Sequence, residues 1–165
     1  MADAAGNQAR SSTLTEGDGV RVDLEGPVLS DISIISDNDN VSWGREGDNI
    51  TLSFTSNETI QTPDLTNISI VGLTDLVFTS LNDNNTRWQV TGTVDEDAVS
   101  GAGGSGGSGY ADFSISVTDQ AGNTGSSVAD ATGGERVALD VEAPVVNACL
   151  LYTSDAADEE DSVDL

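Results

Sequence analysis

The sequence predicts an all-β chain, a seven-stranded sandwich of two sheets, and three observations carry that expectation. Apolar and polar residues alternate with a period of two in several short segments, and none sustains the 3.6-residue period of a helix. β-Branched residues dominate those segments, as a pleated, half-buried surface favours. The segments are separated by turn-rich stretches, the spacing expected of stacked antiparallel sheets.

The first strand is expected over residues 28–36, with Ile32 and Ile34 on one face. The second spans 49–55, where Ile50, Leu52 and Phe54 point inward and Thr51, Ser53 and Thr55 outward. The third covers 66–71, with Ile68 and Ile70 inside. A fourth, over 75–81, admits two registers: Val77 with Thr79, or Leu76 with Phe78, facing in. The fifth, 87–94, buries Trp88, Val90 and Val94. The sixth, 110–118, buries Phe113, Ile115 and Val117, and the seventh, 136–141, buries Val137, Leu139 and Val141. Between the fifth and sixth, residues 100–109 read as a flexible Gly/Ser-rich insertion. It is not a phosphate cradle, because no Lys-Ser/Thr follows it and no helix is expected to begin there.

Two blocks occur twice. Asp119-Gln120-Ala121-Gly122-Asn123 follows Asp3-Ala4-Ala5-Gly6-Asn7 by 116 residues, and Asp140 follows Asp23 by 117, each with Pro-Val shortly after, at Pro27-Val28 and Pro144-Val145. A period this long is a whole domain rather than a solenoid unit of roughly 20–50 residues. Residues 1–25 are thus expected to be the end of a preceding repeat, 26–143 a complete domain, and 144–148 the start of the next. A last strand cannot bury a face alone, so the first segment is expected to be held loosely unless it docks on the intact domain.

Residues 149–165 carry no repeat motif. They resemble the conceptual translation of a transposase-type sequencing adapter, read as a disordered tail from a truncated assembly of environmental DNA. Setting them aside removes six acidic residues, no basic one, and the only cysteine, Cys149.

The formal charge is −24, with no histidine, and the five basic residues are Arg10, Arg21, Arg45, Arg87 and Arg136. Such a chain cannot build the basic patch that nucleic acid requires, nor bind an anionic membrane surface. No apolar run reaches the length of a membrane span, so no insertion by this segment is expected. The sign suits Ca²⁺, salty surroundings or solubility. Missing histidine and lysine remove the usual nucleophile–base pairs, and no pocket or raised pKa is marked for a carboxylate pair. No enzymatic activity is expected.

In the Asp-x-Ala-Gly-Asn block, Asp and Asn can bond their own backbone in Asx-turns and Gly can supply positive φ, which makes it a turn between the last two strands. The same Asp119 and Asn123 can also ligate Ca²⁺ through hard oxygens. In a sandwich, that turn lies at the end where the chain arrives. Asp23 and Glu25 can there meet Glu58, Asp83, Asp119 and Asn123. At the far end, Asp140 and Glu142 leave near Asp37, Asp39, Asp95, Glu96 and Asp97. Carboxylates this dense repel without a cation, so Ca²⁺ at domain junctions is the candidate cofactor.

Other motifs carry less. Asp37-Asn38-Asp39-Asn40 resembles the start of an EF-hand loop, but Ser42 stands where glycine is needed. Asn40, Asn49, Asn57, Asn67 and Asn84 each begin an Asn-x-Ser/Thr triplet, which an Asn- and Thr-rich chain contains by chance. Trp88 belongs to the inward set of its strand and is expected in the core. Trp43 falls in the connection between the first two strands, and its role is open.

Gly47-Asp48-Asn49-Ile50-Thr51-Leu52-Ser53-Phe54-Thr55, then Glu58-Thr59-Ile60, Pro63 and the Asp119–Thr124 block, resemble bacterial immunoglobulin-like repeats, and the likeness covers residues 2–146. Boundaries reading Val-Asp-x-x-x-Pro are matched by Val22-Asp23 with Pro27 and nearly by Leu139-Asp140 with Pro144. The resemblance implies an immunoglobulin-like β-sandwich in a tandem stalk of a large secreted adhesin or biofilm-associated surface protein, located extracellularly. Its partners would be neighbouring repeats and a host, surface or matrix ligand. The alternative is a carbohydrate- or protein-binding accessory module of a secreted multidomain protein or hydrolase. The Gly/Ser insertion and the missing cysteine pair depart from antibody domains and leave the core to apolar packing.

Overall fold

A computed structural model describes residues 22–101 and 108–146. The expected fragment of a preceding repeat before residue 22, most of the Gly/Ser insertion, residues 147–148 of the next repeat's start and the adapter-like tail lie outside the described residues. The chain is mostly β-strand, arranged in several sheets, with one short helix among the described residues.

The four-stranded sheet is built from β1 (Leu29–Ser36), β3 (Asn49–Ser56), β6 (Arg87–Val94) and β5 (Leu73–Ser80), in the spatial order β1-β3-β6-β5, all antiparallel. Strict alternation places Ile50, Leu52 and Phe54 of β3 and Trp88, Val90 and Val94 of β6 in the core, each at most 4% exposed. The Trp88 indole Nε1–H, which cannot be buried unpaired without cost, donates to the Asn85 carbonyl at 3.0 Å. The ambiguous register of β5 resolves with Leu76 and Phe78 packed against the core and Val77 60% exposed. A bulge between Thr74 and Val77, with Asp75 at φ 53°, sets that register.

The other side of the core is less regular. β4 (Ile68–Ile70) pairs antiparallel with β8 (Phe113–Ile115). β9 (Ala138–Asp140) pairs antiparallel with β7 (Ser108–Tyr110) and parallel with the two-residue β2 (Trp43–Gly44). The expected continuous strand over 110–118 is therefore divided. Residues 108–110 pair with β9, residues 113–115 pair with β4, and Ile115 also bridges Val128. Its apolar set holds nonetheless: Phe113, Ile115 and Val117 are all buried, as are Ile32, Ile34, Ile68, Ile70, Val137 and Leu139, in one cluster. Val141 is only partly buried.

Two elements differ from the loops expected from sequence. The connection after β6 forms α1 (Glu96–Gly101). Asp95 caps it, its Oδ1 accepting from the Ala98 N–H at 2.9 Å, Glu96 and Asp97 favour the positive end of its dipole, and Val99 anchors it in the core. Trp43 lies in β2, where its backbone pairs with Ala138 while the residue stays 48% exposed.

The two ends of the domain run side by side in the same direction. Gly26 and Pro27 lie against Thr124 and Gly125, Ile32 exchanges hydrogen bonds with Thr132, and Trp43-Gly44 pair in parallel with Ala138-Leu139. Both segments advance together, so the chain arrives at one end of the domain and leaves at the other.

Candidate metal centre

The Asp-x-Ala-Gly-Asn block folds as the turn its residue types favour. Asp119 Oδ1 accepts from the Asn123 N–H and Oδ2 from Asn123 Nδ2, both at 2.8 Å, while the Asp119 N–H donates to the Asn123 carbonyl at 3.0 Å. Gly122 supplies φ 97°. Gln61, which the sequence did not mark, holds the turn from outside: its Nε2 donates to the Asp119 carbonyl at 2.7 Å, and its N–H donates to the Thr118 carbonyl at 2.9 Å.

The arriving segment docks on this turn. Asn123 Nδ2 also donates to the Asp23 carbonyl at 3.1 Å. The Val28 N–H donates to Asn57 Oδ1 at 2.8 Å, and the Asn57 N–H returns a bond to the Val28 carbonyl at 3.1 Å. Asn57, in sequence only the start of an Asn-x-Thr triplet, staples the lead-in.

Three carboxylates converge there. One oxygen each from Asp23, Glu58 and Asp119 lie within 4.8 Å of one another. Two oxygens at about 2.4 Å from a shared Ca²⁺ stand at most ~4.8 Å apart, so each pair is within the outer limit for one ion, and all three would draw closer around it. Asp119 is 1% exposed. Burial pushes its carboxyl up, but hydrogen bonds from the Asn123 side chain and from the backbone N–H groups of Asn123, Gly122 and Ala121 outweigh that and hold it below the usual value. Glu58 moves the other way: desolvation first, then the negative charges of Asp23, Asp119 and Glu25, push its carboxyl up. The cluster thus contains one carboxylate held in its charged form and another whose charge is opposed by its neighbours.

The sequence-marked residues divide between the two ends. Asp23, Glu58, Asp119 and Asn123 come together, with Glu25 near enough to act on Glu58. Asp83 is exposed and outside that group. At the far end Asp37, Asp95 and Asp140 serve as turn and cap acceptors. Asp140 Oδ1 accepts from the Glu142 N–H at 3.1 Å, Asp37 accepts from the N–H and Nδ2 of Asn49 at 2.8 and 2.9 Å, and Asp95 caps α1. Among the described residues, Asp23, Glu58 and Asp119 form the single group of three acids within metal-binding reach. The EF-hand-like stretch is also a turn network: Asn38 Nδ2 donates to Asp48 at 2.7 Å, Asn38 Oδ1 accepts from the Asn40 N–H, and Asn40 Oδ1 from the Ser42 N–H.

No protein family, curated protein or solved structure matches the chain.

Proposed function

We propose that this chain is a non-enzymatic structural repeat of a bacterial cell-surface or secreted adhesin, which spaces and stiffens a stalk. The observation that carries the reading is the parallel course of the first and last segments, from Gly26 beside Gly125 to Gly44 beside Leu139. Arrival and departure at opposite ends suit head-to-tail stacking, and tension on the ends shears the lateral hydrogen bonds together instead of unzipping them one by one. The strand order β1-β3-β6-β5 opposite β4–β8 and β7–β9 supports an immunoglobulin-like sandwich as the unit.

Stiffness in this reading comes from the docked lead-in, and Ca²⁺ held by Asp23, Glu58 and Asp119 would strengthen it by offsetting their repulsion. Small-angle X-ray scattering on a chain of this domain with its neighbouring repeats tests the stalk: a maximum dimension that grows in proportion to repeat number is expected, and a compact or freely jointed chain refutes it. Thermal unfolding with calcium and with chelator tests the ion, because a ligand bound only to the folded state raises its midpoint. Equal midpoints would remove Ca²⁺ from the proposal and leave the stalk standing.

A further inference from the structure

Where the lead-in meets the segment after the turn, neither Gly26 nor Gly125 has room for a Cβ. A Cβ on Gly26 would lie 2.6 Å from the Thr124 carbonyl oxygen and 2.9 Å from the Gly125 nitrogen, and a Cβ on Gly125 would run into the Pro27 carbonyl oxygen. Neither glycine has positive φ, so neither is needed for its backbone conformation. Both are needed for clearance, and the atoms they face are backbone, which cannot rotate away.

The chain contains a natural counterpart to each half of the contact. Aligned on the repeated blocks, Ala143 stands where Gly26 stands, 117 residues on, and Ala9 stands where Gly125 stands, 116 residues back. Pro27 is buried in its seat.

We infer that the seat around Thr124 and Gly125 selects its lead-in by the absence of one methyl group: it accepts Gly26-Pro27 and rejects a segment such as Ala143-Pro144. A second copy of this domain therefore cannot dock on residues 140–146 as this one docks on residues 23–28, and the repeat that follows needs a seat of different shape. The seat is a specificity surface whose partner is a Gly-Pro lead-in. The identification of residues 140–146 as a lead-in rests on the tandem-repeat reading above, whereas the steric contact lies within this chain.

Amide hydrogen exchange on the full chain tests it with two variants. Gly26→Ala gives the lead-in the residue found at 143, and its exchange at the Val28 and Asn57 amides is expected to rise roughly ten- to a hundredfold, the effect of overpacking a closed contact. Leu24→Val also moves the lead-in toward the 140–146 sequence, but at a residue 83% exposed, and should change nothing. The Leu52 and Val90 amides report in the same spectra that the domain is folded. Unchanged exchange at Val28 in Gly26→Ala, or an equal rise in Leu24→Val, overturns the inference. In the wild-type chain a nuclear Overhauser contact between the Gly26 α-protons and the Gly125 amide is expected, and its absence overturns the seat without any variant. None of these outcomes bears on the scattering test, so failure here is distinguishable from failure of the stalk.

Discussion

Truncating Leu52 to alanine measures how much of the fold rests on the central strand. Leu52 is fully buried, and its neighbours across the sheet are Ile34 on β1 and Val90 on β6, themselves 2% and 0% exposed. Three carbons are lost, worth ~2.4 kcal/mol in transfer at about 0.8 kcal/mol each. A cavity penalty adds to this, because strands pinned by ladders on both sides collapse poorly, and measured Leu→Ala losses run from roughly 2.7 to 5.0 kcal/mol. We expect about 3–4 kcal/mol. Against a typical total of ~5–15 kcal/mol the domain still folds at 25 °C. With one cysteine in the chain, no internal disulfide cushions the loss. At roughly 3–5 °C per kcal/mol for a domain of this size, the midpoint should fall by about 10–18 °C. The assay is urea and thermal unfolding followed by tryptophan fluorescence, since Trp88 lies in the same core. Val77→Ala, at a site 60% exposed on β5, is the control and should stay within about 0.5 kcal/mol. A Leu52→Ala loss below about 1.5 kcal/mol would refute the view that β3 is held rigidly on both sides.

Removing the cap in Asp95→Ala should cost ~0.5–2 kcal/mol and speed exchange at the Ala98 and Val99 amides; unchanged exchange there would deny the cap its role. Glu58→Gln should stabilise the chain at neutral pH without divalent ions and abolish any gain from calcium. The folded-state pKa of Glu58 is raised, so its ionised form destabilises the fold at neutral pH, and that penalty lifts as pH falls through the raised value toward 4.5. The variant's advantage over wild type should shrink to nothing across that window, as read by thermal unfolding; a pH-independent difference would contradict the assignment. Asp119 has the opposite sign: its contribution is present above 3.8 and is lost as pH falls through its lowered folded value, in both proteins.

The parts of the fold legible in sequence are those where one strand carries its own pattern. β3 and β6 alternate over eight residues, and their apolar sets all proved buried. The division of residues 108–115 between two partners was not legible, because the choice of neighbour is tertiary and leaves the alternation intact. The six-residue α1 is too short to show a helical period; its signal was Asp95 as cap with Val99 four residues on. The gathering of Asp23, Glu58, Asp119 and Asn123 was legible through sandwich geometry, which puts the arriving linker beside that turn, whereas Asp83, expected there too, stays outside the group. The parts played by Asn57, Gln61, Gly26 and Gly125 were not, because clearance and stapling depend on which backbones meet.

The lead-in and its seat touch in space but lie almost a domain apart along the chain. If the chain is one unit of a tandem array, as proposed, a genetic crossover between neighbouring repeats that falls anywhere from Pro27 to Thr124 joins the lead-in of one parent to the seat of another. Gly meeting Gly leaves a working joint, while Ala meeting Gly prises it open. In the proposed array one methyl would thereby filter which recombinants stay straight, and repeat number would drift freely only among units whose glycines match.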